Sequence, residues 1–544
     1  MAAKQENTIC GVEVPPEERT PLVEQLLRVI FVLQQEIKKL RAEVDRLKGL
    51  PERPERPQQP STLNDPQGKP SQVARKKKRK RRGKRPGSAK RAKTRRLKIH
   101  ETVPLELADL PEGTERLGYT DFYVQDLEVE AHSIRYRRAR YRLPDGSFRT
   151  APLPDHVASH FGSTLRAYVL YQHFHNHVTQ PLLHEELREF GVDISAGEVN
   201  RLLTEGHDAF HEEKDALLPA AREVSRYFHT DDTSARHRGE NGHTLHIGNE
   251  LFASFFTTDS KSRSNFLKIL RSPFTDYVLG GDALFYLEYY DLPQYLQTRL
   301  AAELSDGAWV VVEGDEAWEK QLDAWQIQSA DHRRLVTEAA LFGSLLAHDL
   351  YVNQPLVSDD AAQFKVLGLM VALCWLHAER HVARLIPLNA REQKAYDKVR
   401  DAIWRYYQRL KAYRVSPTPR RKARLERDFD RLFQQRTGFP ALNEALRKIH
   451  AKKENLLLVL EHPELPLHNN PSESDIRQYV KKRKISAGTR SDLGRRCRDT
   501  FLSLKTTCRK LGVAFWRYLR DRIHGLNTIP PLGDLIREKG ATTA

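Results

Sequence analysis

The sequence predicts an α/β protein: a mixed-sheet catalytic domain with a helical insertion, preceded by several N-terminal modules. Three observations carry this expectation. Short apolar runs end in acids at Thr230-Asp231-Asp232-Thr233 and at Pro355-Leu356-Val357-Ser358-Asp359-Asp360, and acids at the carboxyl ends of buried strands are where α/β sheets hold their chemistry. Roughly 80 residues of helical periodicity, Leu385 to Leu465, separate the second run from a helix that opens near Asn470-Pro471. Before all of this lie heptads, a proline-rich stretch and a run of basic residues.

The chain has 544 residues, 39% hydrophobic and 30% charged, room for several domains with real cores. No apolar run approaches the roughly 20 residues that span a bilayer, and the N-terminus has no basic-then-apolar leader pattern. Four scattered cysteines, at 10, 374, 497 and 508, exclude a disulfide framework and point to a reducing compartment. The net charge of +17 is concentrated: residues 75 to 98 hold sixteen Lys or Arg and no acid. Such density calls for a polyanion, a localisation or solubilising tail being the plain alternative.

Residues 1–19 are expected to be disordered. Over 20–50, Leu26, Leu33, Leu40 and Leu47 recur every seven residues with Ile30, Ile37 and Val44 between them, the pattern of a parallel two-stranded coiled coil and hence a homodimer. Residues 51–98 form a proline-rich linker and the basic tract, whose Arg75, Lys76, Lys77, Lys78, Arg79, Lys80, Arg81 and Arg82 are phosphate-contact candidates. Residues 99–155 read as a small β module with strands at Tyr123–Val129 and Ser133–Arg142, a turn at Leu143–Gly146 and no cysteine for zinc. Within 156–222, Pro181 opens a helix with Leu182, Leu183, Leu187 and Phe190 on its apolar face. Gly191–Ile194 turns the chain, and Ser195 with Glu198 forms a capping box for a second helix. This describes a helix-turn-helix, with Asn200 and Arg201 as its DNA-contact candidates.

Residues 223–384 and 466–527 supply the catalytic core, 385–465 the helical insertion and 528–544 a tail. The run ending at Asp231, followed by strands at His243–Asn249 and Leu251–Thr258, is how an RNase H-like sheet begins. Asp359 would lie on a later strand, and Glu473 in the first turn of a helix capped by Asn470. Arg477 shares a face with Glu473, and Lys481, Lys482, Arg483, Lys484 and Arg490 look like a phosphate-contacting strand and loop. Asp232, Asp360 and Asp475 are the near neighbours that a register error would select, and Asp315, after Trp309–Gly314, is a rival second acid. Cys374 and His377, at i and i+3, supply only two metal ligands and read better as helix packing; Trp375 reads as core.

From about residue 100 to 525 the chain resembles the transposases of insertion sequence sixty-six (TnpC-like proteins), a DDE recombinase family. The matching pieces are HTDDT around Asp231, VSDDAAQF around Asp359, CWLHAER from Cys374 and HNNPSESDIR around Glu473. The resemblance implies an RNase H-like fold, catalytic and metal-binding acids at Asp231, Asp359 and Glu473, and two Mg2+ (or Mn2+) ions. Asp231 would bridge both ions, Asp359 and Glu473 holding one each. It implies cleavage and strand transfer at the ends of an insertion sequence, with element-end and target DNA as partners, accessory proteins of the same element, and a location in the bacterial cytoplasm at the nucleoid. Relatives' zinc motif is missing. The competing expectation is a dimeric DNA-binding protein that has lost catalysis and acts as a repressor or architectural factor.

Overall fold

The computed structural model describes residues 8–9, 12–13, 99–105, 114, 117–154, 157, 159–304, 309–351 and 353–543. The coiled coil expected over 20–50, the linker and the basic tract with Arg75 to Arg82 lie outside the described residues. The chain divides into two units, 51–134 and the remainder. In the first, the described residues contain no helix or strand. The strand expected at Tyr123–Val129 is absent: Phe122, Val124 and Leu127 are all exposed, and an alternating segment with no covered face gains nothing from pairing.

In the larger unit, β1 (Thr8–Ile9) and β2 (Val12–Glu13) form a short antiparallel pair. The second strand expected in the β module contracts to β3 (Arg140–Arg142), paired with β4 (Phe148–Thr150) across the foreseen turn. There Gly146 takes φ +84, and Asp145 accepts hydrogen bonds from the Ser147 amide and hydroxyl. Helix α1 (Ser163–Leu170) runs into a single π-helical turn, Tyr171–His175. Helices α2 (Gln180–Glu189) and α3 (Ala196–Thr204) are joined by a short turn, with Ser195 Oγ accepting from the Glu198 amide at 3.1 Å. Helices α4 (Asp208–Asp215) and α5 (Leu217–Val224) follow. The buried Leu183, Leu187, Val199 and Leu203 join one core with Phe501 and Leu504, so this helix pair is not a detached module.

The central sheet comprises β5 (Phe228–His237), β6 (Glu240–Gly248), β7 (Ala253–Thr258), β10 (Leu356–Ser358) and β11 (Val371–Leu373) in the order β11-β10-β5-β6-β7. The first three strands are antiparallel, and β10 and β11 run parallel to β5. This mixed five-stranded sheet among many helices is consistent with the RNase H-like expectation. Strand β5 is longer than the sequence suggested: His237 still pairs with Glu240, so Asp231 and Asp232 lie inside the strand.

Between β7 and β10 sit α6 (Arg263–Leu270), β8 (Asp276–Leu279), α7 (Gly281–Tyr289), α8 (Gln294–Glu303), β9 (Val310–Glu313), α9 (Asp315–Ala324) and α10 (Ala330–Ala347). Strand β9 pairs only with β8. Asp315, the first residue of α9, therefore follows a strand of another sheet, and there Tyr277 Oη donates to it at 2.6 Å and Lys268 at 2.8 Å.

After β11 come α11 (Trp375–Ala383) and the insertion helices α12 (Ala390–Val415), α13 (Pro419–Phe433), α14 (Pro440–His450) and α15 (Lys453–Leu457). They share a second core around Trp375, whose indole N–H donates to the Leu456 carbonyl at 3.0 Å. The core closes with α16 (Asn470–Ser486), α17 (Asp492–Leu511) and α18 (Phe515–Ile523). Helix α17 covers the free edge of β7: Asp499, Ser503 and Thr507, at i, i+4 and i+8, accept from the amides of Thr257, Phe255 and Ala253. Four helical residues rise about 6 Å and two strand residues about 7 Å, so the two ladders nearly match, and the edge is no longer open to other strands. The expected tail is ordered: α19 (Leu532–Thr543) follows, with Leu532 and Ile536 buried in the main core. No described helix is long and apolar enough to cross a membrane.

Trp375 ties the insertion to β11, so Trp375→Ala is expected to destabilise the protein by about 3–5 kcal/mol. Urea denaturation measures this; a loss below about 1 kcal/mol would contradict its role as the centre of the second core.

Candidate active site

Alternation along β5 puts His229, Asp231 and Thr233 on one face, and α16 lies across that face. His229 Nδ1 donates to Asn469 Oδ1 at 2.7 Å, His246 (opposite Asp231 on β6) meets Ser472 Oγ at 2.6 Å, and Arg483 donates to Thr233 and Ser234. Asp231 therefore points toward the helix that carries Glu473. Asp359 arrives from the other side. The β10–β5 ladder pairs Val357 with His229. Asp359 is the first residue past the end of β10, and Asp231 lies two residues beyond His229 on β5, so both acids are carried toward the same end of the parallel pair.

The electrostatics agree with this convergence. Burial, opposed by the Asp232 amide that bonds Asp231 Oδ1 at 2.8 Å and reinforced by the charges of Asp359, Asp232 and Glu473, pushes the Asp231 carboxyl up to about 7. Asp359 spends one oxygen on the Ala361 amide at 3.0 Å. Glu473 sits in the first turn of α16, with Arg380 at 3.7 Å and Arg477 at 3.8 Å, both at the outer limit of an ion pair, and the His377 ring at 3.9 Å. Arg380 donates to His377 Nε2 at 2.7 Å, so that nitrogen is an acceptor and the ring neutral; burial and Arg380 both depress its pKa.

The three near neighbours differ in kind. Asp232, on the opposite face, is ion-paired with Lys261 at 2.8 Å and accepts from Gln363. Asp360 is held by Lys365 at 2.8 Å and by Lys452; burial raises its pKa, but the two lysines win and hold it below the ordinary range. Asp475 is buried with Lys510 at 2.6 Å, Arg509 at 3.1 Å and His246; against the upward push of burial, these cations bring it to about 2. Each near neighbour has its own cation.

A divalent cation is tested against this set. The donors are carboxylate oxygens, which suit hard ions. Glu473 Oε1 is buried and accepts no hydrogen bond, and Asp231 bears a repulsion that a cation would relieve. These features fit such an ion, although among the described residues no group of three or more His, Cys, Asp or Glu is closed into a metal cage.

Two expectations around α16 need correction. Residues 481–486 continue the helix instead of forming a strand, and the chain turns only at Ala487 before Thr489 bridges to His237. Lys482 is consequently buried, 0% exposed, and donates to the His173 carbonyl at 2.7 Å; burial takes its pKa down to about 6, and it faces no phosphate. Lys481, Lys484 and Arg490 are exposed, as are Asn200 and Arg201, the latter paired with Glu198 at 2.6 Å. The helix cap is Asn469, not Asn470, and its side chain does not cap. Besides accepting from His229, Asn469 donates Nδ2–H to the Thr230 carbonyl at 2.8 Å and its amide N–H to Cys374 Sγ at 3.3 Å. The sequence reading missed this residue; its only signal was a second Asn before the proline.

Asn469→Ala strands the His229 ring and the Thr230 carbonyl in a buried place and is expected to cost about 2–4 kcal/mol in urea denaturation. Asn470→Ala should cost under about 1 kcal/mol, and equal losses would refute the clamp. For Asp231 the folded value lies above the ordinary 3.8. Between pH 4 and 7 the metal-free folded state keeps a proton that the unfolded chain releases, so stability falls as pH rises and levels off above about 7. Asp231→Asn should therefore stabilise the chelator-treated protein at pH 8, by up to a few kcal/mol, and hardly at pH 4. Thermal melts at the two pH values check it; a pH-independent difference would contradict it.

Comparison with known proteins gives the chain a family. Residues 301–496 match the family model described as transposase IS66 family. That span includes Asp359, Cys374 to Arg380 and Glu473, but not Asp231. The chain is also similar to the uncharacterized protein y4jO of Sinorhizobium fredii (strain NBRC 101917 / NGR234), 41% identical over 326 residues that cover 59% of this chain and 100% of that protein. On these grounds the chain belongs to the IS66 family of transposases.

Proposed function

We propose that the protein cuts DNA at the ends of its own insertion sequence and joins those ends to target DNA, with Asp231, Asp359 and Glu473 as the catalytic acids. One observation carries the reading: Asp231 is buried beside the charges of Asp359 and Glu473, its carboxyl is pushed up, and among the described residues no lysine or arginine pairs with it, while Asp232, Asp360 and Asp475 are each neutralised by lysine or arginine. Unneutralised acid held in a partly buried site is costly unless it has a task.

The acids would hold two Mg2+ or Mn2+ ions, which when bound activate a water or a DNA 3′-hydroxyl and stabilise the departing 3′-oxygen. The chain's own residues supply position and charge. Asn469 and Ser472 fix α16 on the sheet, so Glu473 meets the level of Asp231 and Asp359. Arg380 and Arg477 are 42% and 36% exposed and sit loosely on Glu473, so their guanidinium forks remain free to turn to a scissile phosphate. Neutral His377 orients Arg380 by accepting its hydrogen bond. Lys481, Lys484 and Arg490 extend positive charge along α16 and past its end. In strand transfer the 3′-hydroxyl oxygen forms a new P–O bond as the target's 3′-oxygen leaves, so the number of phosphodiesters is conserved. Asn200 and Arg201 on α3 would read the element end. The basic tract, including Arg75 to Arg82, would gather DNA, and the 20–50 segment would pair two chains.

Strand transfer of element-end DNA in Mg2+ is the direct test. Asp359→Asn is expected to lower the rate by at least about a hundredfold, the usual scale for losing one electrostatic stabiliser. Asp232→Asn should retain most activity. Equal activity of wild type and Asp359→Asn would refute the assignment. For the dimer, Leu33→Pro is expected to halve the mass in solution, and an unchanged mass would refute pairing through residues 20–50.

A further inference from the structure

The acids and α16 leave a second region of positive charge on the folded part of the chain without a role. Residues 385–465 carry nineteen Lys or Arg against ten Asp or Glu, whereas the chain outside this insertion and the basic tract has an excess of acid. The charge has a defined place on α13. Leu425, Phe429 and Phe433 form its buried face, and Arg420, Arg424, Arg427 and Arg431, at i, i+4, i+7 and i+11, line the other. All four are exposed, Arg424 at 73% and Arg431 at 81%. We propose that this stripe is a docking surface for the backbone of duplex DNA, additional to the surface around the acids; it rests on the reading of DNA as the substrate.

Four features distinguish the stripe from an ordinary solvated face. No acid occupies an exposed position of α13; Glu426, Asp428 and Asp430 are all partly covered. Asp428 is the one carboxylate that Arg424 and Arg431 reach, at 3.8 and 3.4 Å, and it already takes Arg409 at 2.5 Å, leaving the positive charge in excess. Arg420 and Arg427 form no ion pair among the described residues, Arg427 bonding only to its own helix at the Ala423 carbonyl. All four residues are arginine, whose planar fork matches phosphate oxygens. The stripe is about 16 Å long, the rise of about five base pairs.

The surface is also fixed relative to the acids. Phe429 and Phe433 pack on Trp375 with ring centroids 6.1 and 6.2 Å away, and Trp375 opens α11 directly after β11. From the same insertion Lys452 holds Asp360, the residue after Asp359. DNA seated on α13 is thereby held at a constant offset from the site of chemistry.

The test is binding of the full-length protein to a duplex of arbitrary sequence, without divalent cation, over a range of KCl. Each phosphate contact contributes about 0.9 to the slope of log K against log salt. Replacing Arg420, Arg424, Arg427 and Arg431 together by Gln is expected to lower the slope by about 3 and weaken binding at least tenfold at 150 mM salt. Arg447→Gln with Lys448→Gln, two cations on α14 engaged with Glu444, should leave the slope within 1 of wild type. The single change Arg427→Glu, with no ion pair to lose, should weaken binding severalfold without altering the melting temperature. A quadruple variant or Arg427→Glu that melts like wild type and binds with the wild-type slope overturns the proposal. If Asp359→Asn kept wild-type strand transfer, the catalytic reading would fall, while the docking surface, read from the salt slope without divalent cation, would stand.

Discussion

The side chain of Asn469 is the contact on which the site depends. It is buried, accepts from His229 and donates to the Thr230 carbonyl, while the backbone N–H of the same residue donates to Cys374 Sγ. Three elements that are far apart in sequence meet there: the first strand of the sheet, the turn into α11, and the start of α16. Asp231 is one residue beyond Thr230, and Glu473 is one helical turn beyond Asn469. An amide offers both a donor and an acceptor with no charge, so it can tie these elements together without adding to the repulsion among the acids. Lysine or aspartate in the same place would change the charge that the site needs to keep.

Around this clamp the chain sorts its carboxylates. Six acids lie in adjacent or nearby positions, and sequence spacing treats them as equals. Strand alternation separates Asp231 from Asp232 by turning them to opposite faces. Lysines from later in the chain, Lys365, Lys452 and Lys510, neutralise Asp360 and Asp475. What remains is a cluster in which the charges of Asp359 and Glu473 add to the burial that raises the Asp231 carboxyl, and that arrangement suits a hard cation.

The parts legible in the sequence were those set by local pattern. The Ser195 cap, the turn before β4, the helices of the insertion and the acidic strand ends each follow from residues close together in the chain. The parts that were not legible depend on distant partners. The alternation at Tyr123–Val129 looks like a strand, but its apolar side chains are exposed. Lys482 reads as a phosphate ligand within its basic run, yet α16 continues and turns it into the protein toward the His173 carbonyl. Asn470 has the better local claim to be the cap, and only the arrival of β5 gives the role to Asn469. Asp315 ends a convincing strand, but that strand pairs with Asp276–Leu279, not with the central sheet. The arginines of α13 form a recognisable face only once packing buries Leu425, Phe429 and Phe433 on the opposite side.

The sorting of the acids can be measured by Mn2+ titration calorimetry on the full-length protein and six single variants. Wild type is expected to bind two ions per chain. Asp231→Asn, Asp359→Asn and Glu473→Gln should each lose at least one ion or weaken binding at least tenfold. Asp232→Asn, Asp360→Asn and Asp475→Asn should keep both ions with affinities within a few fold of wild type. Loss of binding in the second group with retention in the first would contradict the account.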